Sequence, residues 1–334
     1  MGIARFYPVL YTKVMIRLKE IAKIAGVSPA TVSNVLNGKD NVGEETKRRI
    51  LQLCTEYSYN PNITERKYKR KAIRTILFTF SDFERCFYLD IIKGIHDFAE
   101  THSYDLLIST GKISEKYMHP SITSGCIALD GHLASEILLR NASEDYPIIS
   151  LDRELDNPYI KSILVDNYPS MKALMESIIN KGYKSFAYLG GLETTADNKE
   201  RYKAFLDVLN EHNIPFKSDW NIAGDWLEKS GIRAAQIMML SKSLPEVLVC
   251  ANDNMAFGAI KTFKANGYEI GKDIMVTGFD NNLIAEFNEI TTIDIPDYER
   301  GYLAAQALVN NIEGEKNNEV FRISAKIIYR KSFL

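Results

Sequence analysis

The sequence contains few of the residues that build disulfides, metal sites and many catalytic sites. It has four cysteines and five histidines in 334 residues. Cys54, Cys86, Cys126 and Cys250 show no CxxC spacing and have no histidine pair nearby. We expect reduced, mostly buried thiols, with no metal and no cofactor. The sequence also has no Ser-His-Asp order, zinc-ligand spacing or phosphate-binding glycine loop, which argues against an enzyme.

Long apolar runs are missing as well. No stretch approaches the roughly 20 apolar residues that a membrane-spanning helix needs. Residues 1–14 lack the apolar region and cleavage site of a secretory signal, and we assign this leader no role. We therefore expect a cytoplasmic protein with no membrane contact. The length of 334 residues predicts more than one domain, with enough chain to bury a large core.

Charge is distributed unevenly along the chain. Residues 1–74 contain 15 Lys or Arg and 6 Asp or Glu, whereas the remaining residues contain 26 and 37. A basic end joined to an acidic body is typical of a nucleic-acid-binding segment attached to a regulatory domain. A basic tail without a partner is the alternative.

The stretch from Leu18 to Asn37 has the pattern of a helix-turn-helix. Apolar residues recur at helical spacing from Leu18 to Ala25, and Gly26 then interrupts the pattern. Ser28 can cap a second helix that has Pro29 at its first position. Small and polar residues occupy the outer face of this second helix. An ordinary helical hairpin would give the same spacing.

The individual residues of this stretch resemble the DNA-binding headpiece of LacI/GalR-type transcription regulators. The resemblance rests on Ile21-Ala22, Ala25-Gly26-Val27-Ser28, Ala30-Thr31-Val32-Ser33 and Val35-Leu36-Asn37, and it continues to Asn62. It implies a three-helix headpiece over residues 15–62, a hinge over 63–74 and a two-lobed core over 75–334. It also implies a homodimer, or a higher oligomer, on double-stranded operator DNA.

Two positions depart from the family pattern. The family usually has Arg between Ser33 and Val35, where this chain has Asn34, so we expect a changed base preference, since Asn suits adenine and Arg suits guanine. The hinge has Tyr68 where the family tends to have a leucine wedge. Tyr68 either inserts between base steps or lies along the backbone beside basic neighbours. The predicted DNA-binding residues are Ser28, Pro29, Ala30, Thr31, Ser33, Asn34, Asn37, Arg66 and Tyr68.

The predicted third helix carries Lys47, Arg48 and Arg49, which either reach DNA phosphates or form a solvated face. The hinge is too basic to be buried, and we expect it to become ordered on DNA.

From Thr75 onwards, apolar strands alternate with amphipathic helices, which predicts an α/β core of mostly parallel sheets. The predicted strands are 75–80, 104–109, 125–129, 147–151, 185–190, 246–251, 273–279 and 320–329. The predicted helices are 88–101, 168–181, 197–212, 230–241, 252–266 and 298–313. Two such halves, with crossings near 160 and 290, resemble the core of this family and of periplasmic sugar-binding proteins. The interval from Ser109 to Gly125 is short, so we expect a reduced helix there.

Polar residues at strand ends mark the predicted ligand site, because ligands gather at the carboxyl ends of parallel strands. By resemblance, Asp152, Arg201, Asn252 and Asp280 match positions that hold the effector in the family. Trp226 can cover the apolar face of a sugar ring. The predicted mouth of the site is formed by Ser81, Asp82 and Phe87, with Asp297 a further candidate at the opposite lip. The alternatives are a helix cap for Asn252, a core role for Trp226 and a surface ion pair for Arg201.

The resemblance implies a transcription regulator, which we expect to be a repressor controlled by a small sugar. A purine or nucleoside corepressor is the alternative within the family. A sugar-binding transport receptor would share the core, but the headpiece argues against it.

Overall fold

The architecture comes from a computed structural model with two compact units, residues 1–72 and 73–334. The structure describes residues 18–36, 42–56, 73–241, 243–314 and 321–333. The leader and residues 63–72 of the predicted hinge lie outside the described residues.

The first unit contains three short helices around one apolar cluster. They are α1 (Leu18–Ala25), α2 (Pro29–Leu36) and α3 (Glu44–Glu56). The cluster is formed by residues from all three helices, among them Ile21, Val32, Val35 and Ile50. Gly26 has φ +64°, a left-handed conformation that favours glycine, and it turns the chain between α1 and α2.

The first lobe of the second unit is built on a six-stranded sheet with the order β11-β5-β4-β3-β1-β2. All its neighbouring strands are parallel. The strands are β1 (Thr75–Phe80), β2 (Asp105–Thr110), β3 (Gly125–Leu129), β4 (Ile148–Ser150), β5 (Ile160–Val165) and β11 (Phe321–Ile323). β1 and β3 are almost wholly buried, as expected of strands covered on both faces.

The second lobe has a four-stranded parallel sheet with the order β7-β6-β8-β9, and an antiparallel pair of β10 and β12. The strands are β6 (Phe186–Leu189), β7 (Asn221–Ile222), β8 (Val247–Cys250), β9 (Met275–Thr277), β10 (Thr292–Asp294) and β12 (Lys326–Ile328).

Helices cover both sheets. The first lobe carries α4 (Tyr88–Thr101), α5 (Ser135–Asn141) and α11 (Asp297–Glu313). The second lobe carries α6 (Asn167–Asn180), α7 (Ala196–Glu211), α8 (Glu228–Met239), α9 (Asp253–Ala265) and α10 (Leu283–Phe287). None of the helices in the described part of the chain is both long and apolar enough to cross a membrane.

The chain passes between the lobes three times: after β5, after β10, and between β11 and β12. Helix α11 returns to the first lobe, where Ala304 and Leu308 share an apolar cluster with Ile91 of α4. Three crossings therefore connect the two lobes.

The structure differs from the sequence prediction at three places. Residues 160–165, where we expected the first crossing, form β5, so the chain leaves the first lobe after Val165. The predicted single strand 320–329 is wrong, because Ser324 and Ala325 separate β11 and β12, which belong to different sheets. Helices α5 and α10 and strands β7 and β10 were not predicted. Between Ser109 and Gly125 the structure has a 3-10 helix (Gly111–Tyr117), the reduced element expected there.

Candidate functional site

The second helix of the first unit presents small and polar residues on its outer side. Val32 and Val35 are buried, whereas Ser28, Pro29 and Ala30 are exposed. The Ser28 Oγ accepts a hydrogen bond from the Thr31 backbone N–H at 3.1 Å and so caps α2. The half-buried residues Thr31, Ser33 and Asn34 complete the set of predicted DNA-binding residues that the structure describes. Asn37, Arg66 and Tyr68 lie outside the described residues.

The basic residues of α3 have different surroundings. The Arg49 guanidinium donates to the backbone carbonyl of Ala25 and therefore ties α3 to the end of α1. The Lys47 Nζ lies 3.5 Å from a Glu44 carboxylate oxygen within the same helix. Arg48 is exposed. Arg49 is exposed too, but it is bonded to Ala25, so Arg48 is the candidate for a phosphate contact on this helix.

A cavity of about 380 Å³ lies between the two lobes of the second unit. The predicted ligand residues Ser81, Phe87, Asp152 and Trp226 line it. The first lobe contributes residues that follow β1, β3 and β4, and the second lobe contributes the start of α7. Strand ends and a helix start are where α/β folds place ligand contacts, so the location agrees with the strand-end rule.

Asp152 is held in the cavity wall by its neighbour. The Arg153 Nε donates to Asp152 Oδ1 at 3.0 Å, and Arg153 Nη2 donates to Oδ2 at 2.8 Å. Burial raises the pKa of Asp152, and the hydrogen bonds and charge of Arg153 act against that rise. The carboxylate is thus oriented as a hydrogen-bond acceptor at the wall, with its charge balanced by Arg153.

Arg201 and Asp280 are buried and are not part of the cavity wall. The Arg201 Nη1 lies 3.7 Å from Asp280 Oδ1, and Arg201 Nε donates to Asn167 Oδ1 at 2.7 Å. The guanidinium carbon lies 3.5 Å from the centre of the Phe279 ring and 5.5 Å from that of Trp226. Burial raises the pKa of Asp280 well above its usual range, although Arg201 lowers it. Arg201 and Asp280 thus form a buried pair that adjoins the Trp226 ring.

Asn252 serves as a helix cap in this structure. Its Oδ1 accepts from the Met255 N–H at 3.0 Å, which caps α9, and its Nδ2 donates to the Trp226 carbonyl at 2.8 Å. Trp226 has φ +72°, a left-handed conformation that is uncommon for a bulky residue. Its indole ring lies against Gly191, where a Cβ would overlap it. Asn252 therefore fixes the strained backbone that places Trp226 at the cavity.

The loop after β1 places Asp82 behind the cavity wall. Asp82 Oδ2 accepts from Arg85 Nη2 at 2.8 Å, and Arg85 itself lines the cavity. The cavity is also lined by five residues that were not predicted: Arg85, Tyr88, Arg153, Asp197 and Lys199. Each of these residues lies within a few residues of a strand end or a helix start, and this proximity in sequence is the signal that could have identified them.

Asp297 is buried at the crossing from β10 to α11 and does not line the cavity. Arg300 Nη1 donates to Asp297 Oδ1 at 3.1 Å, and Arg300 Nη2 donates to the carbonyl of Leu151, next to Asp152. Burial raises the pKa of Asp297 to about 7, against the effect of Arg300. In the described part of the chain, no group of three or more His, Cys, Asp or Glu side chains is arranged to hold a metal ion.

Sequence comparison places both units among known proteins. Residues 17–62 match the profile of bacterial regulatory proteins of the lacI family, and residues 175–333 match that of a periplasmic binding protein-like domain. The HTH-type transcriptional regulator RegA of Clostridium saccharobutylicum is 29% identical over 330 residues, which cover 94% of this chain and 98% of RegA. The probable HTH-type transcriptional repressor ExuR of Bacillus subtilis is 27% identical, with 95% and 98% covered. The chain belongs to the LacI family.

Structure comparison agrees with LacI-family membership. A sugar-binding transcriptional regulator of the LacI family from Enterococcus faecalis has a TM-score of 0.73 and 27% identity, with 80% of this chain and 100% of that chain covered. The chain is therefore a DNA-binding transcription regulator of the LacI family, with a helix-turn-helix headpiece and an effector-binding type of core.

Proposed function

We propose that this LacI-family regulator is a repressor whose affinity for operator DNA is controlled by a small sugar bound between the two lobes. The observation that carries the proposal is the cavity of about 380 Å³, which has walls from both lobes. Its lining combines carboxylates, which accept hydrogen bonds from hydroxyl groups, with the indole of Trp226, which can cover a sugar ring. A similar structure, from Enterococcus faecalis, is described as sugar-binding, which supports the sugar class.

Control of the operator follows from the position of the ligand. A molecule that contacts both walls binds the closed arrangement of the lobes more tightly than the open one, and it shifts the population accordingly. The change in operator affinity equals the difference between the effector's affinities for the two states. In this proposal Asp152, Ser81, Phe87 and Trp226 contact the effector directly. Arg201, Asn252 and Asp280 support Trp226 in the state described, and Arg201 and Asp280 become accessible if Trp226 moves.

On the DNA side, we assign base and backbone contacts to the predicted residues at the start and on the outer side of α2, and to three residues that follow: Ser28, Pro29, Ala30, Thr31, Ser33, Asn34, Asn37, Arg66 and Tyr68. Asn34 is the residue with an amide suited to adenine in the major groove. The segment 63–74 is proposed as the hinge between the headpiece and the core. A regulator that acts on operator DNA works in the cytoplasm and needs no catalytic residue.

The proposed partner in solution is a second copy of the chain. Exposed apolar side chains flank a junction between the lobes: Phe83, Leu89, Leu283 and Phe287. The Glu84 carbonyl accepts from Asn254 Nδ2 at 3.2 Å, and Asn254 Oδ1 accepts from Asn282 Nδ2 at 3.1 Å. These bonds connect Glu84, which follows Phe83 in the first lobe, to Asn282, which precedes Leu283 in the second. Because Phe83 and Phe287 are 78% and 81% exposed, a covered interface explains them better than solvent does.

A purine or nucleoside effector is the second candidate. The cavity is lined by three aromatic residues, Phe87, Tyr88 and Trp226, and a base could stack on such rings. The two candidates differ in what they require of the cavity. A sugar needs several hydrogen-bond acceptors for its hydroxyl groups, whereas a base needs an aromatic face on which to stack.

The proposal is tested by titrating the purified protein onto a duplex from its own upstream DNA, with a panel of sugars and purines and at several salt concentrations. We expect sequence-selective binding that one sugar releases. Binding strengthened by a purine would contradict the sugar proposal and reverse the regulatory sign. Binding that is only non-specific, falls steeply with salt and responds to no ligand would contradict the whole proposal.

A further inference from the structure

The guanidinium of Arg85 lines the effector cavity with part of its hydrogen-bonding capacity unused. The side chain is 12% exposed, and its Nη2 donates to Asp82 Oδ2 at 2.8 Å. The Nε is buried and has no hydrogen-bond acceptor among the described residues. An unpaired buried donor is costly, so a rearrangement of the Arg85 side chain that gives its Nε an acceptor, such as one that accompanies ligand binding, is favoured.

The other arginine of the cavity wall, Arg153, is saturated. Its Nε and Nη2 donate to Asp152, and Nη2 also donates to the Asp130 carbonyl. Its Nη1 donates to the Leu133 carbonyl at 2.9 Å and to Ser135 Oγ at 3.2 Å. A guanidinium has five N–H donors, and all five of Arg153 are occupied. Arg153 therefore holds the wall together, and Arg85 is the arginine left to meet a ligand.

Two aromatic rings lie beside the guanidinium group of Arg85. The guanidinium carbon lies 4.9 Å from the centre of the Tyr88 ring and 5.8 Å from that of the Phe87 ring. Rings at these distances attract the guanidinium through cation–π interactions. In the second-lobe part of the wall, the exposed Lys199 adds a second positive charge.

The two carboxylates of the wall have other roles. Arg153 balances the charge of Asp152, and Asp197 Oδ1 accepts from Asn167 Nδ2 at 2.6 Å. Both still offer oxygens to hydroxyl groups. The cavity thus combines acceptors for hydroxyls with one arginine whose donors are not all paired.

We propose that Arg85 recognises an anionic group on the effector, so that the effector is a sugar acid or a sugar phosphate rather than a neutral sugar. This inference rests on the proposed function, because it names the chemical class of the ligand in the same cavity. A carboxylate or phosphate forms paired, charge-assisted hydrogen bonds with a guanidinium. The Asp82 carboxylate occupies one of those donors in the structure described, so the ligand anion competes with Asp82 for Arg85.

The first test is isothermal titration calorimetry of the full chain with matched ligands: D-glucuronate and D-glucose, D-galacturonate and D-galactose, glucose 6-phosphate, and inorganic phosphate. We expect one anionic sugar to bind about 10- to 150-fold more tightly than its neutral counterpart, the range for hydrogen bonds to a charged group. The uronate and phosphate arms distinguish the two sources of negative charge. A neutral sugar or a purine that binds as tightly as every anionic sugar overturns the inference.

The second test uses two variants with effects of opposite sign. Arg85→Gln removes the positive charge, and we expect it to weaken binding of the anionic sugar about 10- to 150-fold while binding of the neutral sugar stays the same. Asp82→Asn removes the competing carboxylate but keeps an oxygen for the Glu84 N–H, which Asp82 Oδ1 accepts at 3.0 Å. We expect Asp82→Asn to strengthen binding of the anionic sugar. Arg233→Gln, at an exposed arginine of α8, is the matched control.

Unchanged affinity of a folded Arg85→Gln protein for the anionic sugar overturns the inference, and so does the absence of any gain in Asp82→Asn. Circular dichroism establishes whether each variant is folded. If Arg85→Gln does not fold, the affinity of Asp82→Asn for the anionic sugar tests the inference. Operator binding without ligand is measured in parallel. If the unmodified protein shows no specific operator binding, the proposed function is contradicted. If only the ligand comparisons fail, the inference about Arg85 alone is contradicted.

Discussion

The residue in α2 that separates this chain from its family pattern is Asn34. It follows Ser33 on the half-buried side of a helix whose apolar face is occupied by Val32 and Val35. An asparagine amide pairs with adenine N6 and N7, whereas arginine pairs with guanine O6 and N7. We therefore propose that the identity of this one side chain influences which base pair the helix prefers.

We expect Asn34→Arg to move the operator preference from adenine to guanine at one base pair in each half-site, by about 1–3 kcal/mol. Selection of bound duplexes from a randomised operator library, with the unmodified protein in parallel, measures the shift. Asn34→Ala should lose the adenine preference without gaining guanine. If Asn34→Ala binds like the unmodified protein, Asn34 does not read a base.

A second residue with a measurable consequence is Asp297, whose pKa burial raises to about 7. The ordinary value for an unfolded aspartate is about 4. The folded protein therefore holds this proton more tightly than the unfolded chain does. It follows that the carboxyl's contribution to the free energy of unfolding decreases as pH rises from about 4 to about 7.

We expect the unmodified protein to lose stability relative to Asp297→Asn across this interval, by up to about 1.4 kcal/mol per pH unit. Urea unfolding at several pH values between about 5 and 8, followed by fluorescence of Trp220 and Trp226, measures the difference. Asp105→Asn, at an exposed carboxyl, is the control. Parallel pH profiles for the unmodified protein and Asp297→Asn would contradict the assigned shift.

At the scale of elements, two glycines bring α4 and α11 together. A Cβ on Gly301 would overlap the carbonyl oxygen of Ile91, and one on Gly94 would overlap that of Tyr298. Backbone atoms cannot move aside as a flexible side chain can, so the two helices touch only because both positions are glycine. Their contact attaches α11, which follows the second crossing, to the first lobe.

Gly301→Ala should therefore destabilise the core by about 1–3 kcal/mol, the usual range for overpacking, even though alanine favours helix. Urea unfolding measures this change. Gly131→Ala, where the nearest atom to the new Cβ is Thr195 Cγ2 at 3.5 Å, is the matched control within the same unit. Equal stability of Gly301→Ala and the unmodified protein would mean that the helices can separate at no cost.

The long elements were predictable because their residues repeat the helix or strand period over many positions. Helix α4 and strands β1 and β3 have the predicted boundaries, and α6, α7 and α8 differ by only one or two residues. Strands of two or three residues, such as β7 and β10, contain too few positions to show a period. Strand β5 was taken for a crossing, and 320–329 for one strand, because sheet membership depends on partners far away in sequence.

The candidate site was predictable in place but not in detail. The strand-end rule selected Asp152, Asn252 and Asp280, and the structure places all three at strand ends. The sequence could not show that Asp280 pairs with Arg201 or that Asp82 pairs with Arg85, because side-chain partners are set by the fold. The same reason explains why Arg85 was missed while its neighbour Phe87 was chosen.

At the scale of the whole molecule, the proposed dimer makes a direct prediction. Phe287 is 81% exposed on α10, and burying a phenylalanine in an interface contributes about 1.5–3 kcal/mol. Because a symmetric dimer contains the residue twice, Phe287→Ser should raise the dimer dissociation constant by about 100-fold or more. Sedimentation velocity over a range of concentrations measures this constant.

Leu240→Ser is the control for that experiment, because Leu240 is equally exposed, at 88%, but lies outside the proposed surface. Phe287→Ser should also weaken operator binding, since two headpieces are needed to bind both half-sites. An unchanged dimer in Phe287→Ser would place the interface elsewhere on the chain.

The measurement that tests effector control most directly is the affinity of the effector for the free protein and for the protein saturated with operator duplex. Because linkage is reciprocal, an effector that releases the operator must itself bind the operator complex more weakly, by the same factor. We predict a ratio of about 5 to 150, equal to the ratio of operator affinities without and with effector. Equal effector affinities for the free and operator-bound protein would contradict control of the operator through the cavity between the lobes.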